Sequence, residues 1–188
     1  MALSSLPNAL TITRIVTVAP LVWLMWTGHY LGALAVAMLA GLTDVLDGYL
    51  ARRFSWQSHF GGWADPAADK LLMSAAYITL ALLGALPVWL SVLVIGRDII
   101  IAAGALMYRK LFGQFNAQPT LWSKATTFTQ VLLIWMKLVV LAGFGLPSVF
   151  FEWMVVVVSA LTVSTLIQYM WLWGHRAVRA GQTIKGES

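Results

Sequence analysis

Six long apolar stretches, separated by short polar ones, account for most of this 188-residue chain. Crossing the hydrocarbon core of a bilayer as a helix takes about 20 predominantly apolar residues. The pattern therefore predicts an all-α membrane protein with six transmembrane helices, at Leu10–Trp26, Leu31–Tyr49, Lys70–Leu86, Val88–Leu106, Thr126–Phe144 and Val149–Trp173. We expect one domain over residues 1–188, with room for a short surface segment at residues 1–8.

The composition agrees with this pattern and narrows the class of protein. Hydrophobic residues make up 60% of the chain and charged residues 10%, and the mean hydropathy is +0.82. Soluble domains average about 25% charged residues. The first apolar stretch is expected to remain in the protein as a helix, because it lacks a basic leader and contains Arg14. The chain has no cysteine, which excludes disulfides and thiolate metal ligands.

The net charge of +5 is distributed unevenly over the loops. Lysine and arginine follow the predicted helices 2, 4 and 6, whereas the loops near Gly28–Tyr30, Gly84–Pro87 and Gly145–Ser148 contain neither. This is the positive-inside pattern, and it predicts that both termini lie in the cytoplasm. The basic residues are therefore interpreted as topology signals that also contact anionic lipid, and not as a nucleic-acid site. The expected location is a bacterial inner membrane.

Four of the seven acidic residues are clustered between positions 44 and 69, at the predicted helices 2 and 3. A carboxylate at mid-bilayer costs about 2.5–3.5 kcal/mol on insertion scales. Asp44 and Asp47 are three residues apart and Asp65 and Asp69 are four apart, so each pair shares one face of a helix. A short turn joins the two helices and makes them antiparallel neighbours. The two pairs can therefore face each other near the cytoplasmic end of the bundle.

Four carboxylates brought together need a cation between them, or some of them must stay protonated. Oxygen ligands without cysteine or a nearby histidine pair select hard cations, so we expect Mg²⁺ or Mn²⁺. Two ions that bridge a diphosphate would suit four such ligands. Gly48 and Gly61 lie beside the carboxylates, where a nucleotide would need room, and Arg52 is suitably placed for a phosphate. Close helix packing is the alternative explanation for the small residues.

The same residues resemble the signature of the CDP-alcohol phosphotransferase family. Its eight fixed positions are all present at the family's spacing: Asp44, Asp47, Gly48, Ala51, Arg52, Gly61, Asp65 and Asp69. The resemblance implies that the four aspartates hold two divalent ions and that Asp69 is the general base. It implies that Gly48, Ala51, Arg52 and Gly61 shape a CDP pocket. It also implies a six-helix membrane domain and a homodimer.

Outside the signature, residues 7–14 resemble family members that use CDP-diacylglycerol to make phosphatidylglycerol phosphate or cardiolipin. Two later stretches, at residues 96–109 and 118–130, are more similar to the cardiolipin synthases of the family. The resemblance implies that a phosphatidyl group is transferred from CDP-diacylglycerol to phosphatidylglycerol and that CMP is released. Glycerol 3-phosphate is the alternative acceptor.

Either acceptor carries a phosphate, so a cationic subsite is expected. Arg97 is the first candidate, because an arginine buried in a membrane helix needs an anionic partner. The neighbouring Asp98 is the alternative partner for it. Lys124 and Arg109 are further candidates, and both can equally be topology charges at the membrane interface.

Two other classes of protein compete with this interpretation. A small cation transporter could use the acid cluster, but transporters often show repeated halves, and the predicted helices 5 and 6 have no matching set of acids. A structural membrane scaffold would leave the cost of the carboxylates unexplained.

Overall fold

The computed structural model describes the backbone of residues 6–54, 61–112 and 120–186, and the side chains of residues 13–43, 68–108, 110 and 120–172. The described residues form six α-helices and contain no strand. The helices are α1 (Leu6–Trp26), α2 (Tyr30–Phe54), α3 (Gly61–Leu82), α4 (Val88–Phe112), α5 (Leu121–Leu141) and α6 (Ser148–Gly186). The all-α prediction is confirmed.

Several helix ends differ from the hydropathy prediction because helices continue through polar sequence. The first helix already begins at Leu6, so residues 6–8 are helical. The third begins at Gly61, nine residues before its expected start at Lys70, so Asp65 and Asp69 both lie within α3. The sixth is 39 residues long and runs to Gly186, which is about 58 Å at 1.5 Å per residue.

Three helices of the described part are long and apolar enough to cross a membrane. Their apolar stretches are Val88–Tyr108 in α4, Leu121–Leu141 in α5 and Ser148–Leu172 in α6, with shorter ones at Thr13–Trp26 and Tyr30–Thr43. Large apolar side chains on these helices, among them Trp23, Leu39, Val92, Val156 and Met170, are more than half exposed. Apolar surface on this scale suits contact with lipid and not with water.

Three of the helices end in the same glycine turn. At the end of α3, Gly84 has a φ of +67°, and the amide of Ala85 donates to the Leu80 carbonyl at 2.8 Å. Gly28 after α1 and Gly143 after α5 have φ values of 77° and 93°, with the corresponding bonds His29 to Leu24 and Phe144 to Val139. This left-handed conformation favours glycine and satisfies carbonyls that a helix end leaves unpaired. It explains why α3 ends at Leu82, before the predicted Leu86.

The chain divides into two compact units. The first comprises Met1–Ser91 with Ile134–Pro147, and within it α1 contacts both α2 and α3. In the part of α2 whose side chains are described, the buried positions are small residues at helical spacing, Ala33, Ala37 and Ala40. Small side chains let helix backbones approach closely, which is a common way of packing helices in membranes. A Cβ on Gly41 would lie 3.0 Å from the ring of Trp135, so this glycine also permits a close approach.

The second unit comprises Val92–Leu133 with Ser148–Ser188, and polar contacts join α5 to α6 within it. The Gln130 amide donates to the Thr162 hydroxyl at 3.1 Å, and both side chains are fully buried. Nearby, the Thr126 hydroxyl donates to the Leu161 carbonyl at 3.4 Å. Hydrogen bonds between helices hold a membrane bundle together where the hydrophobic effect between helices is weak.

Candidate functional site

Asp69 on α3 forms an ion pair with Arg14 on α1. A guanidinium Nη1 of Arg14 lies 2.7 Å from Oδ1 of Asp69, which is the short distance expected of a charge-assisted hydrogen bond. The arginine is buried, whereas the carboxylate is partly exposed. The residue implied as general base is therefore held by a cation from the neighbouring helix.

Asp69 lies at one end of a buried stripe on α3. The residues four, seven and eleven positions further along, Met73, Ala76 and Leu80, are buried, and this spacing marks one face of a helix. On α1, Arg14 begins a similar buried stripe that continues with Leu21, seven positions later. The ion pair thus joins the two inward faces where α1 contacts α3.

The other seven signature residues lie outside the described side chains. Asp44, Asp47, Gly48, Ala51 and Arg52 are on the helical backbone of α2, and Gly61 and Asp65 are on that of α3, but their side chains are not among those described. Among the described side chains, no group of three or more histidine or acidic residues could hold a metal ion. The four-aspartate site therefore stays a prediction, of which the structure describes Asp69.

Arg97 on α4 is enclosed by two polar partners. Its Nη1 donates to the Asp98 carboxylate at 2.6 Å, and its Nη2 donates to the Ser123 hydroxyl on α5 at 2.9 Å. Its Nε is buried and has no hydrogen-bond partner among the described residues. The alternative anionic partner expected from the sequence, Asp98, is thus in place, and it neutralises the Arg97 charge.

Part of the motif at residues 118–130 forms the start of α5. The Thr120 hydroxyl accepts a hydrogen bond from the Ser123 amide at 3.2 Å, which is the role of a helix N-cap. This cap starts α5 at Leu121, five residues before the predicted Thr126. Lys124 follows in the same turn and its side chain is exposed. The backbone of Arg109 lies in α4, and its side chain is outside the described set.

The sequence alone indicated no role in the site for Arg14 or Ser123. For Arg14 a signal was present, because a cation within an apolar membrane helix needs an anionic partner and acids are few in this chain. What the sequence lacked was the pairing of helices that brings Arg14 to Asp69. Ser123 gave no comparable signal, because serine is common both in membrane helices and at their ends.

Comparison with known proteins identifies the family. The family model described as CDP-alcohol phosphatidyltransferase matches residues 4–165, which include all eight signature positions. The chain is 36% identical over 146 residues to the cardiolipin synthase (CMP-forming) of Rattus norvegicus, covering 69% of this chain and 48% of that protein. It is 34% identical over 148 residues to a probable phosphatidylglycerophosphate synthase of Mycobacterium tuberculosis, covering 75% of this chain and 69% of that protein.

A third relative extends over nearly the whole chain. The CDP-diacylglycerol–glycerol-3-phosphate 3-phosphatidyltransferase of Pseudomonas fluorescens is 28% identical over 200 aligned positions, which cover 96% of each protein. By contrast, the chain spans about half the length of the animal cardiolipin synthases that it matches. Because the family match covers most of the sequence and contains the complete aspartate signature, the chain belongs to the CDP-alcohol phosphatidyltransferase family.

Proposed function

We propose that this protein transfers a phosphatidyl group from CDP-diacylglycerol to an alcohol and releases CMP. The observation that carries the proposal is the complete signature, from Asp44 to Asp69, inside the family match over residues 4–165. The ion pair of Asp69 with Arg14 supports it, because it brings the last signature residue to the inner face of a helix pair.

Asp44, Asp47, Asp65 and Asp69 are proposed to hold two divalent ions, Mg²⁺ or Mn²⁺. The donor set fits hard cations, since it consists of carboxylate oxygens in a chain without cysteine. Asp69, the aspartate whose side chain is described, also fits, because this side chain is partly exposed and thus accessible to a ligand. When bound, such ions neutralise the diphosphate and make its phosphorus more electrophilic.

The register of α2 adds support for this ligand set. Its buried positions Ala33, Ala37 and Ala40 repeat at intervals of four and three residues. Asp44 and Asp47 continue this series by four and three residues along a helix that extends unbroken to Phe54. The signature acids of α2 therefore occupy positions in line with the face that the helix buries.

In the proposed reaction, the acceptor hydroxyl attacks the phosphorus that carries the diacylglycerol. A new phosphorus–oxygen bond forms, the bond to the bridging oxygen of the diphosphate breaks, and CMP leaves with that oxygen. Asp69 takes the proton from the attacking hydroxyl. Gly48, Ala51, Arg52 and Gly61 are proposed to line the CDP pocket, in which Arg52 contacts phosphate. Most of the catalysis then consists of positioning and charge neutralisation.

The proposed acceptor is phosphatidylglycerol, and the product is then cardiolipin. The support is the similarity to relatives named cardiolipin synthase and the sequence around Arg97 and Lys124. Arg97, Lys124 and Arg109 are the proposed contacts to the acceptor phosphate. Because Asp98 neutralises Arg97, Lys124 and Arg109 supply the net positive charge of this subsite.

Glycerol 3-phosphate is the second candidate acceptor. It is favoured by the Pseudomonas fluorescens relative, whose alignment covers 96% of both chains. Its product would be phosphatidylglycerol phosphate. The two candidates share the donor, the metal chemistry and the base, and differ only in the group that brings the hydroxyl.

Three apolar spans and membership of a membrane-enzyme family make the chain an integral membrane protein. We further propose six membrane-spanning helices in a bacterial inner membrane, with both termini and the active site on the cytoplasmic side. The asymmetry of lysine and arginine between alternate loops supports this orientation. A homodimer is proposed from the family resemblance.

A single assay tests the proposed activity. Purified protein in detergent is supplied with CDP-diacylglycerol, Mg²⁺ or Mn²⁺, and one acceptor at a time, and CMP and lipid products are separated by chromatography. The expected result is CMP release that requires both the metal and an alcohol acceptor. Absence of CMP release, together with ion flux in liposomes, would instead favour the cation transporter.

A further inference from the structure

Two ion pairs with buried arginines differ in how they enclose the acid. In the Arg97–Asp98 pair the exposed fractions of the two side chains are 2% and 10%, so both members are enclosed. In the Arg14–Asp69 pair the fractions are 7% and 45%. The side chain of Arg14 is thus enclosed, while the side chain of Asp69 that it binds stays partly accessible.

This asymmetry separates two roles for a buried ion pair. A pair that only compensates a cation inside a membrane helix is most favourable when both members are enclosed and fully hydrogen-bonded. In the Arg97–Asp98 pair both members are enclosed. Leaving an acid partly open while its cation is buried keeps the acid available for another molecule. In a transferase, that acid is available to substrate.

We infer that Arg14 is a positioning residue for the transfer reaction: from α1, it fixes the Asp69 carboxylate of α3 so that its accessible part faces the reactants. The inference rests on the proposed function, in which Asp69 is the base. Arg14 is well suited to this task, because the planar guanidinium of an arginine holds its hydrogen bonds in fixed directions. The contact of α1 with α3 brings the two residues of the pair together.

The first test replaces Arg14 and follows turnover in detergent. Since misplacement of a reacting group by about 1 Å can cost 10²-fold in rate, Arg14→Gln is expected to lower kcat roughly 10- to 100-fold. The KM for CDP-diacylglycerol should change much less. Arg14→Lys keeps the charge and should recover part of the loss. Thr17→Val on the same helix is the matched control, because the Thr17 hydroxyl donates to the Thr13 carbonyl of its own helix.

The second test combines Arg14→Gln with Asp69→Asn in a double-mutant cycle. If Arg14 acts through Asp69, Arg14→Gln should lower the residual kcat of Asp69→Asn little or not at all. The free energy of unfolding of the metal-free protein provides a readout independent of turnover. The losses of this free energy in the two single variants should add up to more than the loss in the double variant. The inference stands only if the cycle measured in kcat and the cycle measured in unfolding free energy both show this coupling.

The outcomes separate this inference from the proposed function. Full turnover by Asp69→Asn would remove Asp69 as the base and thereby overturn the proposed role itself. If Asp69→Asn lowers kcat while Arg14→Gln keeps the wild-type kcat, only the inference is overturned. Fully additive effects of the two substitutions on kcat would overturn it as well. If Arg14→Gln does not fold, Arg14→Lys carries the test: a lowered kcat with an unchanged KM supports positioning, and a wild-type kcat refutes it.

Discussion

Arg97 and Asp98 are neighbours on α4, and their side chains lie 2.6 Å apart in a buried ion pair. Removing one member of such a pair leaves an uncompensated charge, which costs on the order of 3–5 kcal/mol in soluble proteins. Asp98→Asn is therefore expected to lower the free energy of unfolding in detergent by an amount of this order. Combining it with Arg97→Gln should restore much of the loss, since neither charge then remains. A single variant as stable as the wild type would contradict this account of the pair.

The hydropathy pattern predicted the number and class of the helices because apolar length is what a bilayer selects. It did not predict where α3 begins or where α6 ends, since their polar turns carry acids and bases that the pattern assigns to loops. Glycine and threonine chemistry accounts for other ends, as at Gly84 and Thr120.

The candidate site likewise contains residues that the sequence could predict and residues that only the structure identifies. Asp69 could be found from its spacing to the other aspartates, which is a local property of the sequence. Its partner Arg14 lies on another helix, 55 positions earlier, so only the packing of α1 on α3 identifies it. The sequence allowed two readings of Arg97, and the ion pair with Asp98 was one of them. The role of Ser123 as a second partner required the structure.

Activity is expected to require a divalent metal and each signature aspartate. Replacing Asp44, Asp47 or Asp65 with asparagine removes a charged oxygen ligand, so Mn²⁺ affinity by calorimetry and CMP release should fall together. Glu152→Gln on α6 is the control, because this acid is exposed and lies outside the signature. Turnover that persists at the wild-type rate in excess chelator would rule out the metal mechanism.

The hydrogen bond between Gln130 on α5 and Thr162 on α6 should contribute to stability and not to catalysis. Gln130→Leu removes the bond to Thr162, and interhelical hydrogen bonds in membrane proteins contribute about 0.6–1.7 kcal/mol. Reversible unfolding in mixed micelles should show a loss of this size, with non-additivity when Thr162→Val is included. Thr129→Val is the control on the same helix, since the Thr129 hydroxyl donates to the carbonyls of Ala125 and Thr126. Equal losses of unfolding free energy in Gln130→Leu and Thr129→Val would argue against a stabilising role for the hydrogen bond between α5 and α6.

The proposed orientation can be tested with single cysteines, because the natural chain has none. Cysteines at positions Ser58 and Ser188 should react with an impermeant maleimide only from the cytoplasmic side, and one at Ser148 only from the outside. The expectation follows from the distribution of lysine and arginine. Labelling of Ser58→Cys and Ser148→Cys from the same side would contradict six spans.

The acceptor is expected to be phosphatidylglycerol in preference to glycerol 3-phosphate. The measurement is direct competition of the two acceptors at matched concentrations, with the lipid products separated by chromatography. Lys124→Gln should raise the KM for the acceptor more than that for CDP-diacylglycerol. A charge-assisted contact contributes about 1.5–3 kcal/mol when shielded, and the exposed Lys124 should lie at the low end, near a tenfold effect. Lys137→Gln, further along α5, is the matched control.

Competition separates the candidate acceptors because their chemistry differs away from the phosphate. Phosphatidylglycerol brings two acyl chains and must reach the site from the bilayer, whereas glycerol 3-phosphate arrives from water. The large exposed apolar side chains of α4 and α6 give a lipid acceptor suitable surface, but the same side chains would contact any lipid. The product therefore decides the question. Mainly phosphatidylglycerol phosphate would make glycerol 3-phosphate the acceptor, and the predictions for the aspartates and for Arg14 would stand unchanged, because each acceptor delivers an alcohol hydroxyl to the same phosphorus.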